Sequence, residues 1–418
     1  MLSKKLALKN IPSLIKGKKV LIRVDFNVPI KEGKITDLTR IKESIPTINF
    51  CKENGAKSIT LMSHLGRPDG HKNMKFSLKP IVNDVAKLLN QDVSFLDDCV
   101  GDSVQNAIQN ADGGKIHLLE NLRFYAAEEG SSKDDKGVKT KEKPEVIKKF
   151  REELTRLGDI YVNDAFGTAH RAHSSMVGCL QDTRCAGFLL KKELDYFSKV
   201  LENPDKPLLV IMGGAKVKDK ISIIMNMLDR VDRMVITGAM AFTFLKALNP
   251  AYNIGKSLFD AEGAAQVSQI VEKAKKNNVE LIFPNDFICA KELNGAKSDN
   301  VYSDGSVPEN LIGIDVGQKS REVISNVIKT SKTIFLNGAN GVFESEAGRD
   351  GSIDLINALC ESTKNGNISI CGGGDTVNLI NSVAGANKII SHISTGGGAS
   401  LELIEGKILP GIEALSNI

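Results

Sequence analysis

The chain has 418 residues, more than one hydrophobic core ordinarily organises, so two domains are expected. Its composition, 41% hydrophobic and 25% charged, is that of a soluble globular protein, and no apolar stretch reaches membrane-spanning length. A net charge of only +4, no Trp and few aromatics argue against a nucleic-acid binder, which needs a strong basic field or a stacking platform.

Four arginine-bearing segments in the first 175 positions each begin with a short apolar run. Residues 20–24 (Val-Leu-Ile-Arg-Val) lead into Asp25, Asn27 and Pro29. Residues 59–62 lead into Ser63, His64, Gly66 and Arg67. Residues 116–119 lead into Glu120, Asn121 and Arg123, and residues 160–162 into Asn163, Asp164, Gly167, His170, Arg171 and His173. Short apolar runs bounded by Gly, Pro and Asp read as buried parallel strands. Ligands of open parallel sheets bind beyond the carboxyl ends of the strands. Arg67, Arg123 and Arg171, with His64 and His170, are therefore expected to converge on one mouth. Such a guanidinium cluster suits a strongly anionic ligand, because each fork grips phosphate or carboxylate bidentately. The charged stretch 131–149 reads as a solvated loop running into a surface helix.

Residues 191–201 have helical spacing, and Glu202 to Pro207 break it. The second half repeats the grammar of the first. Runs at 208–212, 234–236, 281–283, 333–336, 368–370 and 390–394 end in glycine-rich or turn-forming loops, with helical patterns such as 221–231 and 264–276 between them. The expected fold class is α/β: two doubly wound, parallel-sheet, Rossmann-like domains joined by a helical hinge. The expected domains are 1–190, a linking helix and linker at 191–207, and 208–400.

The strongest chemical element is Gly213-Gly214-Ala215-Lys216 running on to Lys220. A glycine turn between strand and helix aims free N–H groups at an anion. Lys216 and Lys220 are four apart and would share a helix face. An exposed lysine pair is the plainer reading, but two glycines and two lysines at a strand end favour phosphate. In Cys371-Gly372-Gly373-Gly374-Asp375-Thr376, an acid beside an anion-binding turn implies an intervening Mg²⁺, a helix N-cap, or both at once. In the loop 337–344, Glu344 has the character of a ribose-hydroxyl acceptor. Gly255-Lys256-Ser257 looks like the end of a P-loop, but Pro250 stands where its first glycine is required. No Gly-x-Gly-x-x-Gly follows a strand, which disfavours a nicotinamide dehydrogenase, and there is no Gly-x-Ser-x-Gly elbow.

Seven blocks, in order and spanning nearly the whole chain, resemble the motifs of phosphoglycerate kinases. They lie at 24–29, 63–68, 120–124, 164–175, 213–217, 372–376 and 394–403. The resemblance implies reversible phosphoryl transfer between MgATP and 3-phosphoglycerate, giving 1,3-bisphosphoglycerate and MgADP, in line and on domain closure. It places Asp25, Asn27, Arg40, His64, Arg67, Arg123, His170 and Arg171 around the phosphoglycerate. It places Gly214, Ala215, Lys216, Lys220, Gly238, Gly313, Asn337, Gly341, Glu344, Gly374, Asp375 and Thr376 on the nucleotide. Arg40, Lys216, Gly374 and Gly397 are the implied catalytic positions, Asp375 is the implied Mg²⁺ ligand, and the segment 401–418 is implied to pack back on the first domain. The family commonly has Trp where this chain has Leu311 and Leu336, Pro where it has Ala339, and Gly where it has Ala239. A catalytically dead scaffold of the same fold is the alternative from another class, and intact Arg40, Lys216 and Asp375 argue against it. Seven scattered cysteines without a Cys-x-x-Cys pair fit reduced thiols. A cytoplasmic monomer without nucleic-acid or membrane partners is the expectation.

Overall fold

The computed structural model describes residues 1–295 and 301–418. The chain forms two compact units, Met1–Asp195 with Ile408–Ile418, and Tyr196–Lys407. A helix at Phe188–Leu201 carries the chain from one to the other.

In the first unit β1 (Lys19–Val24), β2 (Ser58–Met62), β3 (Val93–Leu96), β4 (Lys115–Leu119), β5 (Ile160–Asp164) and β6 (Thr183–Ala186) form one sheet. All its pairings are parallel, in the order β6-β5-β1-β2-β4-β3. Successive side chains of a strand point to opposite faces. One face of this sheet is therefore apolar: Val20, Ile22, Val24, Ile59, Leu61, Ile116, Leu118 and Val162 pack with Ile41, Ile48 and Cys51 of the helix Thr39–Glu53. Fully burying such a side chain is worth about 1.5–3 kcal/mol. The other face carries buried Arg23, Thr60, His117, Tyr161 and Asn163. Arg23 lies opposite Met62 and Asn163, near the carboxyl ends of β1, β2 and β5. The C-terminal segment completes this unit. Leu6 N donates to Ser416 O (2.8 Å), Gly411 N to Ala169 O (2.9 Å) and Asn163 Nδ2 to Gly411 O (3.2 Å).

In the second unit β7 (Leu208–Met212), β8 (Arg233–Ile236), β9 (Glu280–Ile282), β13 (Thr333–Asn337), β14 (Ile368–Cys371) and β15 (His392–Ile393) form another parallel sheet, in the order β9-β8-β7-β13-β14-β15. A separate antiparallel sheet of β10 (Phe287–Ala290), β11 (Val301–Ser303) and β12 (Ile312–Val316) has β10 at its centre. The helix Gly398–Ile404 belongs to this unit, where Asn226 Nδ2 donates to Ile404 O (2.6 Å).

The two doubly wound parallel sheets match the expected fold class. The sequence does not announce β3 and β6, at the edges of the first sheet, the antiparallel sheet, or two short hairpins, Ile30–Lys31 with Lys34–Ile35 and Ser131–Lys133 with Lys139–Lys141, the second of which stands where a solvated loop is expected. Val93-Ser-Phe-Leu and Thr183-Arg-Cys-Ala are only partly buried, so polar residues interrupt their apolar runs.

Candidate functional site

The ends of β1, β2, β4 and β5 bring the predicted Arg and His residues of the first unit together. Asp25, at the end of β1, is buried. Its Oδ2 pairs with Arg40 Nη1 at 2.8 Å, and its Oδ1 accepts from Asn27 N at 3.2 Å. Asn27 Oδ1 accepts from Gly66 N (2.9 Å), and Arg123 Nη1 donates to Gly66 O (3.0 Å). Three of the four segments are thus tied at Gly66. Behind them Glu120 accepts from Ser77 Oγ (2.6 Å), Leu78 N (2.8 Å) and Asn121 N (2.8 Å), and Asn121 Nδ2 donates to Leu65 O (2.7 Å). Buried polar groups so satisfied hold a loop in one conformation.

The charge arithmetic of this unit favours an anion. Burial, then Arg23 and Arg123, push His64 far below its ordinary range. Burial, then Arg123, Arg23 and Arg171, push His173 down to about 3. Burial lowers Arg123, with Arg23 and Arg67 acting in the same direction against Glu129 and Glu128. These residues therefore feel one another's fields. Arg67 and Arg171 are exposed, and His170 is half-buried.

Arg23 was not among the predicted site residues. It is fully buried, donating from Nε to Ser175 Oγ (2.9 Å), from Nη1 to Val24 O (2.5 Å) and from Nη2 to His64 Nδ1 (3.1 Å). An arginine has no acceptor, so His64 Nδ1 accepts and the neutral ring carries its proton on Nε2. Buried Glu128 completes the chain, accepting from Ser175 N (2.9 Å) and Ser175 Oγ (2.5 Å). The signal for Arg23 was present as a charge inside the run 20–24, and nothing in the sequence marked Glu128.

Histidines held neutral should make this unit acid-labile. Below the unfolded-state value of about 6.5 the unfolded chain binds protons that His173 in the fold does not accept, so stability falls as pH falls from there towards about 3. Urea unfolding between pH 6 and 4.5 should lose about 1.4 kcal/mol per pH unit less in His173→Asn than in the parent. Equal slopes would place the proton uptake elsewhere.

In the second unit, loops at the ends of β7, β8, β13 and β14 surround a cleft of about 750 Å³. Pockets of that size hold a nucleotide-sized ligand. Every nucleotide position named from the sequence, from Gly214 to Thr376, lines it. Two backbones meet at its floor: a Cβ on Gly338 (φ +118) would lie 2.2 Å from Gly213 O. Lys220 Nζ donates to Asn337 Oδ1, Asn337 Nδ2 donates to Gly372 O (2.6 Å), and Thr376 Oγ1 accepts from Gly338 N (2.8 Å). Burial draws Lys220 below its ordinary range, against the pull of Asp375 and Asp219.

The shared helical face expected for Lys216 and Lys220 does not form. The helix begins only at Ile221, with Lys220 as its N-cap. Val217 is buried and Lys218 N donates to Asp260 Oδ2 (2.9 Å), which holds 217–220 in a turn. Lys216 is left exposed on the loop, without an ion pair among the described residues. At β14, Gly373 (φ +101) is the N-cap of the helix Gly374–Ser382, so Asp375 is not the cap. Its carboxylate is exposed at the cleft, and a Cβ on Gly374 would meet nothing within 4 Å. Gly397 (φ +53) caps the helix Gly398–Ile404 and does not line the cleft.

The family model described as phosphoglycerate kinase matches residues 9–407. The phosphoglycerate kinase of Euplotes crassus is 56% identical over 419 residues, covering 100% of both chains. That of Plasmodium falciparum is 52% identical over 418 residues, again covering 100% of both. The solved phosphoglycerate kinase of Coxiella burnetii matches with a TM-score of 0.86 at 37% identity, covering 98% of each chain.

Proposed function

The chain belongs to the phosphoglycerate kinase family, and on that premise we propose that its first unit grips 3-phosphoglycerate while the cleft of its second unit holds MgADP or MgATP. The enzyme is a glycolytic kinase that moves a phosphoryl group reversibly between 1,3-bisphosphoglycerate and ADP. In the proposal Asp25, Asn27, Arg40, His64, Arg67, Arg123, His170 and Arg171 surround the phosphoglycerate. Asp25 holds Arg40 in place, and neutral His64 offers Nε2–H as a donor.

The observation that carries the nucleotide half is the cleft itself. Four glycine-bearing loops at the ends of parallel strands enclose it, with Lys220 fixed on Asn337 at its floor. Backbone N–H groups at such turns and at the N-terminus of Gly374–Ser382 suit phosphate oxygens. No cluster of three or more metal-ligating side chains exists among the described residues. Mg²⁺ needs no such cluster, because it keeps waters and is held by one or two carboxylates together with substrate phosphates. Asp375, exposed and free of capping duty, is the proposed ligand. Mg²⁺ bound there supplies neutralisation of phosphate charge.

The acceptor carboxylate of 3-phosphoglycerate is ionised at neutral pH, with an ordinary pKa of ~4. No general base is needed, and positioning with electrostatic stabilisation does the work. Arg40, Lys216 and the amides at Gly374 are the proposed partners of the charge on the transferred group, and Gly397 is a proposed hinge position. A cytoplasmic monomer without nucleic-acid or membrane partners belongs to the same proposal. All seven cysteines are buried and free.

A coupled assay with 3-phosphoglycerate and MgATP tests the reaction: 1,3-bisphosphoglycerate should form, and its absence would mark a dead scaffold. Arg67→Ala should weaken 3-phosphoglycerate binding by about 1.5–3 kcal/mol, the worth of a charge-assisted contact, with nucleotide affinity retained. Calorimetry showing equal losses for both ligands would make Arg67 a residue of the fold instead.

A further inference from the structure

Among the described residues three lysines line the cleft, and the proposed phosphate chemistry uses only Lys216 and Lys220. The third, Lys256, comes from the incomplete P-loop sequence Gly255-Lys256-Ser257. Its backbone is fixed. Gly255 has φ +56, and a Cβ there would lie 2.4 Å from both Leu311 O and Pro308 O. Lys256 N donates to Leu311 O (2.8 Å), and Ser257 Oγ accepts from Gly313 N (3.0 Å). The Lys256 side chain is exposed and makes no ion pair among the described residues.

Its surroundings differ from those of the other two lysines. Gly313 lies flat against Phe242, where a Cβ would meet Cζ at 2.3 Å, and Phe242 packs on Phe287 with ring centroids 4.7 Å apart. Leu258 and Ile312 extend this apolar wall. A flat glycine surface edged by apolar side chains suits the face of a heterocyclic base, and the glycine loops already provide for the phosphates. None of Phe242, Leu258, Phe287 and Ile312 offers a side-chain acceptor.

We infer that Lys256 is a specificity-determining residue that biases the cleft towards purine nucleotides with an oxygen at position 6, an inference that rests on this cleft being the nucleotide site. An ammonium has three donors and no acceptor. Guanine presents acceptors at both N7 and O6, a preferred pair for lysine, whereas adenine presents an acceptor at N7 beside the donor amino group at N6. A cation on this rim gains a partner from a 6-oxopurine and faces a competing donor on adenine.

The test compares kcat/KM for MgATP, MgGTP and MgITP, each with 3-phosphoglycerate, in the parent and in Lys256→Met. The GTP-to-ATP ratio should fall by about tenfold or more, tenfold lying near the low end of what a hydrogen bond to a charged group is worth. ITP should follow GTP, because it shares O6 and lacks the 2-amino group. The change should appear in KM, since the base takes no part in the chemistry. An unchanged ratio, an equal loss for all three nucleotides, or a loss for GTP that ITP does not share would each overturn the assignment. Lys220→Ala, measured alongside, should raise KM for all three. If it moves none of them, the cleft is not the nucleotide site and the role of Lys256 falls with that reading.

Discussion

Lys216→Met should leave both ligands bound and cut turnover by about 10²–10³. Two lysines sit in one loop, and the structure treats them differently. Lys220 is mostly buried and donates to Asn337, which in turn bonds Gly372 O, so it is fixed before any ligand arrives. Lys216 is exposed on an irregular stretch, without an ion pair among the described residues. A fixed cation contributes to binding. An exposed one, not held by an ion pair, can reach oxygens whose charge grows only as the phosphoryl group moves. Interactions made chiefly in the transition state lower kcat more than affinity. Methionine keeps length and apolar packing while deleting the charge. Single-turnover kinetics with calorimetry separate the roles: Lys220→Met should weaken nucleotide binding, and Lys216→Met should slow the chemical step. If Lys216→Met turns over within a few-fold of the parent while nucleotide binding collapses, Lys216 is a ground-state anchor.

The strands that carry the candidate site were the easiest part of the fold to read. Parallel strands buried on both faces must be short apolar runs, and β1, β2, β5, β7 and β13 are such runs ending in Asp25, Ser63, Ala165, Gly213 and Gly338. Edge strands escape that rule because one side meets solvent, which is why Ser94 and Arg184 hid β3 and β6. Tertiary contacts hid the rest. Four-residue spacing placed Lys216 and Lys220 on one helix face, yet buried Val217 and the bond from Lys218 to Asp260 delay the helix to Ile221. Asp375 reads as a natural N-cap, but Gly373 at φ +101 takes that position two residues earlier. The partners of a buried charge are not written near it in sequence. Arg23 meets Ser175 across 152 residues, and Glu128 joins them through the same hydroxyl.

That buried chain is where a single substitution should cost most stability. Arg23→Met is expected to destabilise the first unit by about 3–5 kcal/mol, the usual cost of removing one partner from a buried charged network. The guanidinium is fully buried, and its bonds to Ser175, Val24 and His64 all disappear. Glu128 loses the largest influence opposing its desolvation. Burial already lifts its carboxyl above the ordinary range, and Arg23 is the first group pulling it down. Without Arg23 the carboxyl is driven towards its protonated form, which removes an acceptor that orders Ser175. Replacing Glu128 as well should therefore recover part of the loss: Arg23→Met with Glu128→Gln should be more stable than the sum of the two single variants requires, because no uncompensated carboxylate remains. Denaturant unfolding of the four proteins measures the coupling. Strict additivity would mean that Arg23 and Glu128 act independently, and that the line from Glu128 through Ser175 and Arg23 to His64 does not function as one unit. A coupling of 1 kcal/mol or more (about the size expected of residues within one hydrogen-bond network) would make the orientation of His64 depend on a carboxylate three residues away in the chain of contacts.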